Sequence, residues 1–443
     1  MTVIVRYAPS PTGRLHLGNA RPLVLNWLYA KKNGGKFILR FDDTDTARST
    51  RQYADAIEAD LAWLGIAPDE TARQSDRIAL YDAARDRLIA EGKLYPAYET
   101  ADELDRKRKR ARALGRPPIY DRAALDLTED DRARLEGEGR KPHWRFKLDG
   151  RPVHFEDLIK GRQTVNTASM SDPVLIREDG SYLYTFTSVV DDIDMGVTHI
   201  IRGEDHVSNT GTQIEIFEGL GAQAPTFGHH NLLTDAEGQG FSKRLGSLSL
   251  SQLREDGYEP LAVAIMAAIT GTSLPVEPYP TLEAIAEKLD FSMISHGSAR
   301  FDPAELATLN ARLVHHLTFD EVRDRLGTLP DGLDAAAWTA LRENISRLNE
   351  LVPLYEDIVR NAQPVIADED RDFIATAREL LPAEPWDEQT WAGWTSALKQ
   401  ETGRKGKSLF LPLRLALTGK GEGPELKTLL PVLGRKVSAA RLS

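Results

Sequence analysis

The first forty residues alternate strand, loop, helix and strand, and that alternation narrows the possible folds more than any other feature of the chain. An apolar, β-branched run covers Thr2 to Tyr7, and a loop rich in proline and glycine follows it. Apolar residues then recur at helical spacing from about Leu17 to Ala30, and a second strand pattern occupies Lys36 to Phe41. Strands that alternate with helices pair in parallel, and a parallel sheet binds its ligands beyond the carboxyl ends of its strands. Ser10 and Asp42 each fall just past such a strand. The helix beginning near Leu17 offers free backbone N–H groups and the positive end of its dipole, and Gly13 and Gly18 let a phosphate come close. ATP fits such a place.

The same texture continues to about residue 93, with Ile57, Leu61 and Leu64 at helical spacing between Asp55 and Leu64. From Leu94 to Arg177 it changes to charged helix, a Pro117-Pro118 break and short alternating stretches such as His143 to Leu148, which reads as an insertion. Sheet patterns resume at Val197 to Arg202 and at Leu232 to Thr234. After about Ala304 only helical periods remain, for example Leu306, Leu309 and Leu313. With 443 residues the chain exceeds one ordinary core, so two to four domains are expected.

An apolar fraction of 41% and a charged fraction of 28% fit a soluble globular protein, with no run long enough to span a membrane. The amino terminus lacks a basic segment followed by an apolar one, so a cytosolic, unprocessed protein is expected. The absence of cysteine excludes disulfides, thiolate metal sites and a cysteine nucleophile. A net charge of -11 argues against nonspecific nucleic-acid binding by the whole surface. Two basic patches stand out against it. From Glu401 to Ser443 there are nine Lys/Arg against three Asp/Glu, and Arg106-Lys107-Arg108-Lys109-Arg110 forms a second run. By itself either run reads as a solvated helix face.

Arg6-Tyr7-Ala8-Pro9-Ser10-Pro11-Thr12-Gly13, followed by His16-Leu17-Gly18-Asn19, resembles the first signature of class I aminoacyl-tRNA synthetases in its glutamyl form. Gly240-Phe241-Ser242-Lys243-Arg244-Leu245-Gly246 resembles the second, a mobile loop whose lysine reaches the ATP phosphates. The likeness spans nearly the whole chain, including Phe301-Asp302, Leu309-Asn310 and Gly406 to Arg414. It implies an α/β fold: a split Rossmann-like parallel-sheet catalytic domain with an inserted acceptor-binding domain, then an all-α anticodon-binding domain. The implied segments are 1–93 and 178–235 for the catalytic halves and 94–177 for the insert. Residues 236–310 would form the stem-contact region with the Ser-Lys-Arg loop, and 311–443 the helical end.

The family ligates L-glutamate to the terminal ribose of tRNA(Glu) through a glutamyl-adenylate, using ATP with Mg²⁺. The choice between tRNA(Glu) alone and tRNA(Gln) as well stays open, and a monomer is expected. The attacking carboxylate is already ionised at neutral pH, so the first step needs positioning and charge stabilisation rather than a general base. By the resemblance, His16 and Lys243 are the catalytic pair, with His16 on the phosphates and Lys243 neutralising departing pyrophosphate. Taken singly they read as a capping histidine and a loop lysine. Pro11, Thr12, Gly13, His16, Gly18, Asn19, Ser242, Lys243 and Arg244 take the ATP-binding positions. Arg6, Ala8, Ser10, Asp42, Tyr184, Ser188, Arg202 and Asp205 take the glutamate-binding positions. Arginine suits a carboxylate because its planar fork grips with two bonds.

Several positions depart from the family pattern. Asp42 replaces a common Glu, Ser188 a common Asn, and Phe41-Asp42-Asp43 looks like the glutaminyl branch, whereas Arg202 points to glutamate. Gly240 stands where the second signature opens with lysine. Where some relatives bind zinc, this chain has Ala97, Glu99, Ala124 and Asp126, so no zinc is expected. A noncatalytic RNA-binding relative would have lost His16, Lys243 or the arginines. A truncated paralogue that glutamylates a modified tRNA base, or a small-molecule nucleotidyltransferase, would leave the long helical end unexplained.

Overall fold

The structure is a computed structural model that describes residues 2–235, 238 and 248–443. The expected first strand and helix are β1 (Ile4–Tyr7) and α1 (Leu17–Lys32), followed by β2 (Lys36–Phe41), α2 (Arg51–Trp63) and β3 (Glu70–Arg73). β1 and β2 run parallel, with Ile4 opposite Lys36 and Tyr7 opposite Leu39, and β2 pairs in parallel with β3. Both strands are apolar on successive residues because helices cover both sheet faces; Val5, Phe37, Ile38, Leu39 and Phe41 are all buried. α1 is buried nearly all round, from Leu17 through Ala30. Its end is a left-handed turn at Gly34 (φ 58°), where the Gly35 N–H returns to the Ala30 carbonyl at 2.8 Å.

α3 (Ile78–Ala90) leads into β4 (Leu94–Ala97), which pairs antiparallel with β5 (His143–Phe146), itself antiparallel to β8 (Val174–Ile176). Between β4 and β5 lie α4 (Ala101–Ala113) and α5 (Glu129–Gly137), neither of which buries a residue. The basic run on α4 is partly spoken for: Lys107 reaches Asp121 at 3.0 Å and Glu99 at 3.3 Å, and Lys109 reaches Asp105 at 2.7 Å.

One part of the expected insert belongs to the main sheet. β6 (Pro152–Asp157) and β7 (Gly161–Asn166) form a hairpin, and β6 lies parallel to β10 (Thr226–His230), with Asp157 opposite Phe227. β10 in turn pairs in parallel with β9 (His199–Gly203), reached through α6 (Tyr184–Asp194) and followed by α7 (Val207–Gly219). The Thr198 N–H donates to the Ile4 carbonyl at 2.9 Å, so β9 lies beside β1. The hairpin joins because Val153, Asp157 and Ile159 are buried on this edge. Texture alone reads all of 94–177 as an insertion.

Two compact units result: Met1–Gln252 with Val263–Asp302, and Leu253–Ala262 with Pro303–Ser443. Past the short segment 253–262 the helical unit continues from the helix Pro303–His316, eight residues before the expected 311, and Leu306 and Leu309 of that helix are buried. Its core gathers Trp338, Trp394, Leu409, Leu413, Leu429 and Leu430. Buried Asn310 accepts from the Glu259 N–H at 2.7 Å and donates to the Ser346 carbonyl at 2.6 Å, fixing the short segment 253–262 to this unit. Among the described residues no helix is long and apolar enough to cross a membrane.

Candidate active site

A cavity of about 510 Å³ opens at the carboxyl ends of β1 and β9. Its floor comes from the loop after β1: Ala8, Pro9, Ser10, Thr12, Gly13 and Arg14 line it. The loop turns tightly, with the Thr12 N–H on the Ser10 carbonyl at 2.8 Å, and is pinned where the Asp42 N–H reaches the Pro9 carbonyl at 3.0 Å. His16 caps α1 in an extended conformation, and Asn19 accepts from its N–H at 3.2 Å. Burial lowers the His16 pKa, so the imidazole stands neutral at the positive end of the helix and can donate one N–H to an anion.

Arg6, Ala8, Ser10, Tyr184, Arg202 and Asp205 come together around this cavity, and so do Thr12, Gly13, His16, Gly18 and Asn19. Pro11 is buried beside it and does not line it. Asp42 and Ser188 stand behind the wall rather than in it. Asp42 is 6% exposed and accepts from Arg40 Nε at 2.7 Å, and burial lifts its carboxyl to about 6 against the pull of Arg40. Ser188 is fully buried and accepts from Gln213 Nε2 at 3.1 Å. Each departure from the family pattern at these two places therefore falls on a supporting residue. Ser242, Lys243 and Arg244 lie outside the described residues, as does Gly240.

The two cavity arginines differ in what holds them. Arg6 is paired with Asp192 through Nε at 3.1 Å and Nη2 at 3.2 Å. Among the described residues Arg202 meets neutral acceptors, among them His229 Nε2 at 3.2 Å, Thr210 Oγ1 at 2.7 Å and the His206 carbonyl at 3.5 Å. Its Nη1 is buried without a hydrogen-bond partner among the described residues, and burial lowers the guanidinium pKa. A buried cation lacking a carboxylate favours a ligand that brings one.

Sequence reasoning missed the acids that organise this wall. Asp192 also accepts from Arg40 Nη1 at 2.8 Å, and Asp191 takes Arg77 Nε at 2.7 Å, Gln74 Nε2 at 2.8 Å and the Tyr81 hydroxyl at 2.9 Å. Two adjacent acids within the otherwise uncharged stretch Phe186 to Ile193 of α6 were the available signal. His206, His230 and Asn26 also line the cavity without any motif to announce them. At the positions matching the zinc ligands of some relatives, Ala97 and Ala124 pack with Tyr95, while Glu99 accepts from the Tyr120 hydroxyl at 2.9 Å.

Residues 2–307 match the family described as tRNA synthetases class I (E and Q), catalytic domain, and residues 281–443 match the anticodon binding domain. The chain is 57% identical over 442 residues to a glutamate–tRNA ligase 2 of Methylorubrum populi, covering 99% of this chain and 98% of that one. It is 53% identical to a glutamate–tRNA ligase 1 of Chelativorans sp., covering all of both. A crystal structure of a glutamate tRNA ligase from Elizabethkingia meningosepticum in complex with its amino acid superposes with a TM-score of 0.86. That match has 26% identity and covers 100% of this chain and 98% of the other.

Proposed function

The chain belongs to the class I tRNA synthetases of the glutamate and glutamine branch, and from that premise we infer how its own residues charge tRNA with glutamate. It is a glutamate–tRNA ligase that uses ATP. The reading of the individual residues is carried by one observation: Arg202 is a buried cation at the cavity with no carboxylate paired to it among the described residues.

The side-chain carboxylate of glutamate takes that place, beside Tyr184. Asp205 is the only carboxylate lining the cavity among the described residues, and it suits the substrate ammonium. The α-carboxylate is left at the loop Ala8 to Ser10, facing the nucleotide. There it attacks the α-phosphorus of ATP, pyrophosphate leaves, and the adenylate passes its acyl group to the terminal ribose of tRNA(Glu). Neutral His16 and the positive end of the α1 dipole stabilise charge developing on the phosphates. Lys243 neutralises pyrophosphate from the Ser-Lys-Arg segment. With Asp205 matched to the ammonium, Mg²⁺ would be held by phosphate oxygens and water and would neutralise phosphate charge. The alanine-lined positions 97 and 124 support a fold that closes without zinc. Residues 94–177 would meet the acceptor arm, and the helical unit the anticodon arm.

The test compares tRNA charging by L-glutamate and L-glutamine in wild type and in Arg202→Gln. Wild type should prefer glutamate by tenfold at the very least, since an uncompensated buried charge costs roughly 2 to 5 kcal/mol. Arg202→Gln should lose most glutamate kcat/KM and much less for glutamine. A wild type that prefers glutamine, or a variant with full glutamate activity, removes Arg202 from the pocket.

A further inference from the structure

Arg202 needs a mechanism to remain in place, because no carboxylate among the described residues forms an ion pair with it. The atoms around it supply one. Asp157 ends β6, and its Oδ1 accepts three backbone N–H groups, from Ile159 and Lys160 at 2.9 Å and from His229 at 3.1 Å. Its Oδ2 faces His229 Nδ1 at 2.5 Å. A carboxylate there accepts a hydrogen bond from Nδ1–H, which keeps the proton on Nδ1 and leaves Nε2 as an acceptor. Nε2 lies 3.2 Å from Arg202 Nε and 3.1 Å from Thr210 Oγ1. The Phe227 ring completes the clamp, parallel to the His229 imidazole at 6.1 Å and 5.5 Å from the Arg202 guanidinium carbon. Burial, reinforced by Arg202, keeps His229 neutral against the pull of Asp157. Asp157 and His229 do not line the cavity, and both are buried.

We propose that Asp157 and His229 are positioning residues for amino-acid choice: Asp157 sets the His229 tautomer, and His229 holds Arg202 by its Nε. That leaves Nη1 of the guanidinium to the ligand. A carboxylate in the place of His229 would hold Arg202 as firmly but would also neutralise it and remove the preference for an acidic substrate. A neutral acceptor with a fixed lone pair orients the cation and leaves its charge to the substrate. The inference rests on the reading that Arg202 receives the glutamate side chain.

Three variants test it in the full-length enzyme, with Arg202→Gln as reference. In Asp157→Asn the amide oxygen can keep the backbone N–H groups, but its NH₂ faces Nδ1 and drives the proton to Nε2, opposite Arg202 Nε–H. The glutamate KM should rise about tenfold or more, the range expected for losing one hydrogen bond to a charged group, while the ATP KM stays within about twofold. His229→Leu should behave likewise. His229→Gln, whose side-chain oxygen can stand near the Nε2 position, should recover glutamate KM to within about threefold of wild type. Unchanged glutamate KM in Asp157→Asn and His229→Leu, with Arg202→Gln still defective, overturns the relay and leaves the pocket reading standing. Full glutamate activity in Arg202→Gln overturns the pocket reading instead. Glutamate and ATP KM rising together in all three variants, with no recovery in His229→Gln, would mean structural damage and also overturns the proposal.

Discussion

Arg6 and Asp192 meet through two hydrogen bonds with both side chains at least 95% buried, and the same carboxylate also receives Arg40 at 2.8 Å. One aspartate thus compensates two arginines, and Arg6 and Arg40 favour its ionised form despite burial. Replacing Asp192 with Asn leaves two buried cations short of charge. The expected loss is about 3 to 5 kcal/mol of stability, read from urea unfolding midpoints. A variant within about 1 kcal/mol of wild type would show that Asp191 and Asp42 suffice for both arginines.

Lys243 carries the second test of the chemistry. Lys243→Ala should lower kcat for aminoacylation about a hundredfold or more, since one transition-state charge contact contributes roughly 3 kcal/mol. ATP affinity should change less. Near-normal turnover, measured by ATP–pyrophosphate exchange, would take Lys243 out of the reaction.

Stability should depend on pH through His143. This side chain is 9% exposed, accepts from Arg145 Nε at 3.2 Å, and burial lowers its pKa to about 4 from the ordinary 6.5. The unfolded chain therefore binds a proton that the folded chain refuses. The contribution is intact above pH 6.5 and is lost as pH falls towards 4, amounting to about 2 kcal/mol by pH 5. His230, held near 3 mainly by burial, acts in the same direction. Unfolding midpoints between pH 7 and 5 should fall less steeply in His143→Gln, and an unchanged slope would refute the assignment.

In the helical unit, Arg371, Arg378 and Arg435 border a concavity of about 850 Å³. If tRNA lies there, replacing all three with Ala should make the slope of log K against log salt shallower by about 2, near 0.7 for each single-stranded phosphate contact. The charging rate at saturating tRNA should hold. A slope equal to that of wild type would place the RNA elsewhere.

Period and punctuation were enough to read the frame. β1 and β2 were legible because short, mostly apolar runs flanked by proline or glycine have few alternatives, and α1 because its apolar residues kept helical spacing up to Gly34-Gly35. The loop residues of the cavity were legible as a motif because they are contiguous. Asp42 and Ser188 are buried and do not line the cavity, which likeness alone does not say, since a position in a motif does not tell which side of a wall the side chain takes. The Asp157–His229 contact joins residues 72 apart, and each looks ordinary in its own segment. Only the parallel pairing of β6 with β10 brings them together.

That pairing restricts how the chain can vary over time. Side chains along a strand alternate between two faces, so a shift of β6 by one residue would turn Asp157 away from His229 and present its neighbour instead. Added or deleted residues in the exposed turn Leu114 to Pro118, outside any strand, pass without such a shift, whereas a single one between Pro152 and Asp157 changes the register of the edge. The inserted segment is thus free to grow at that turn and a ruler of fixed length along β6.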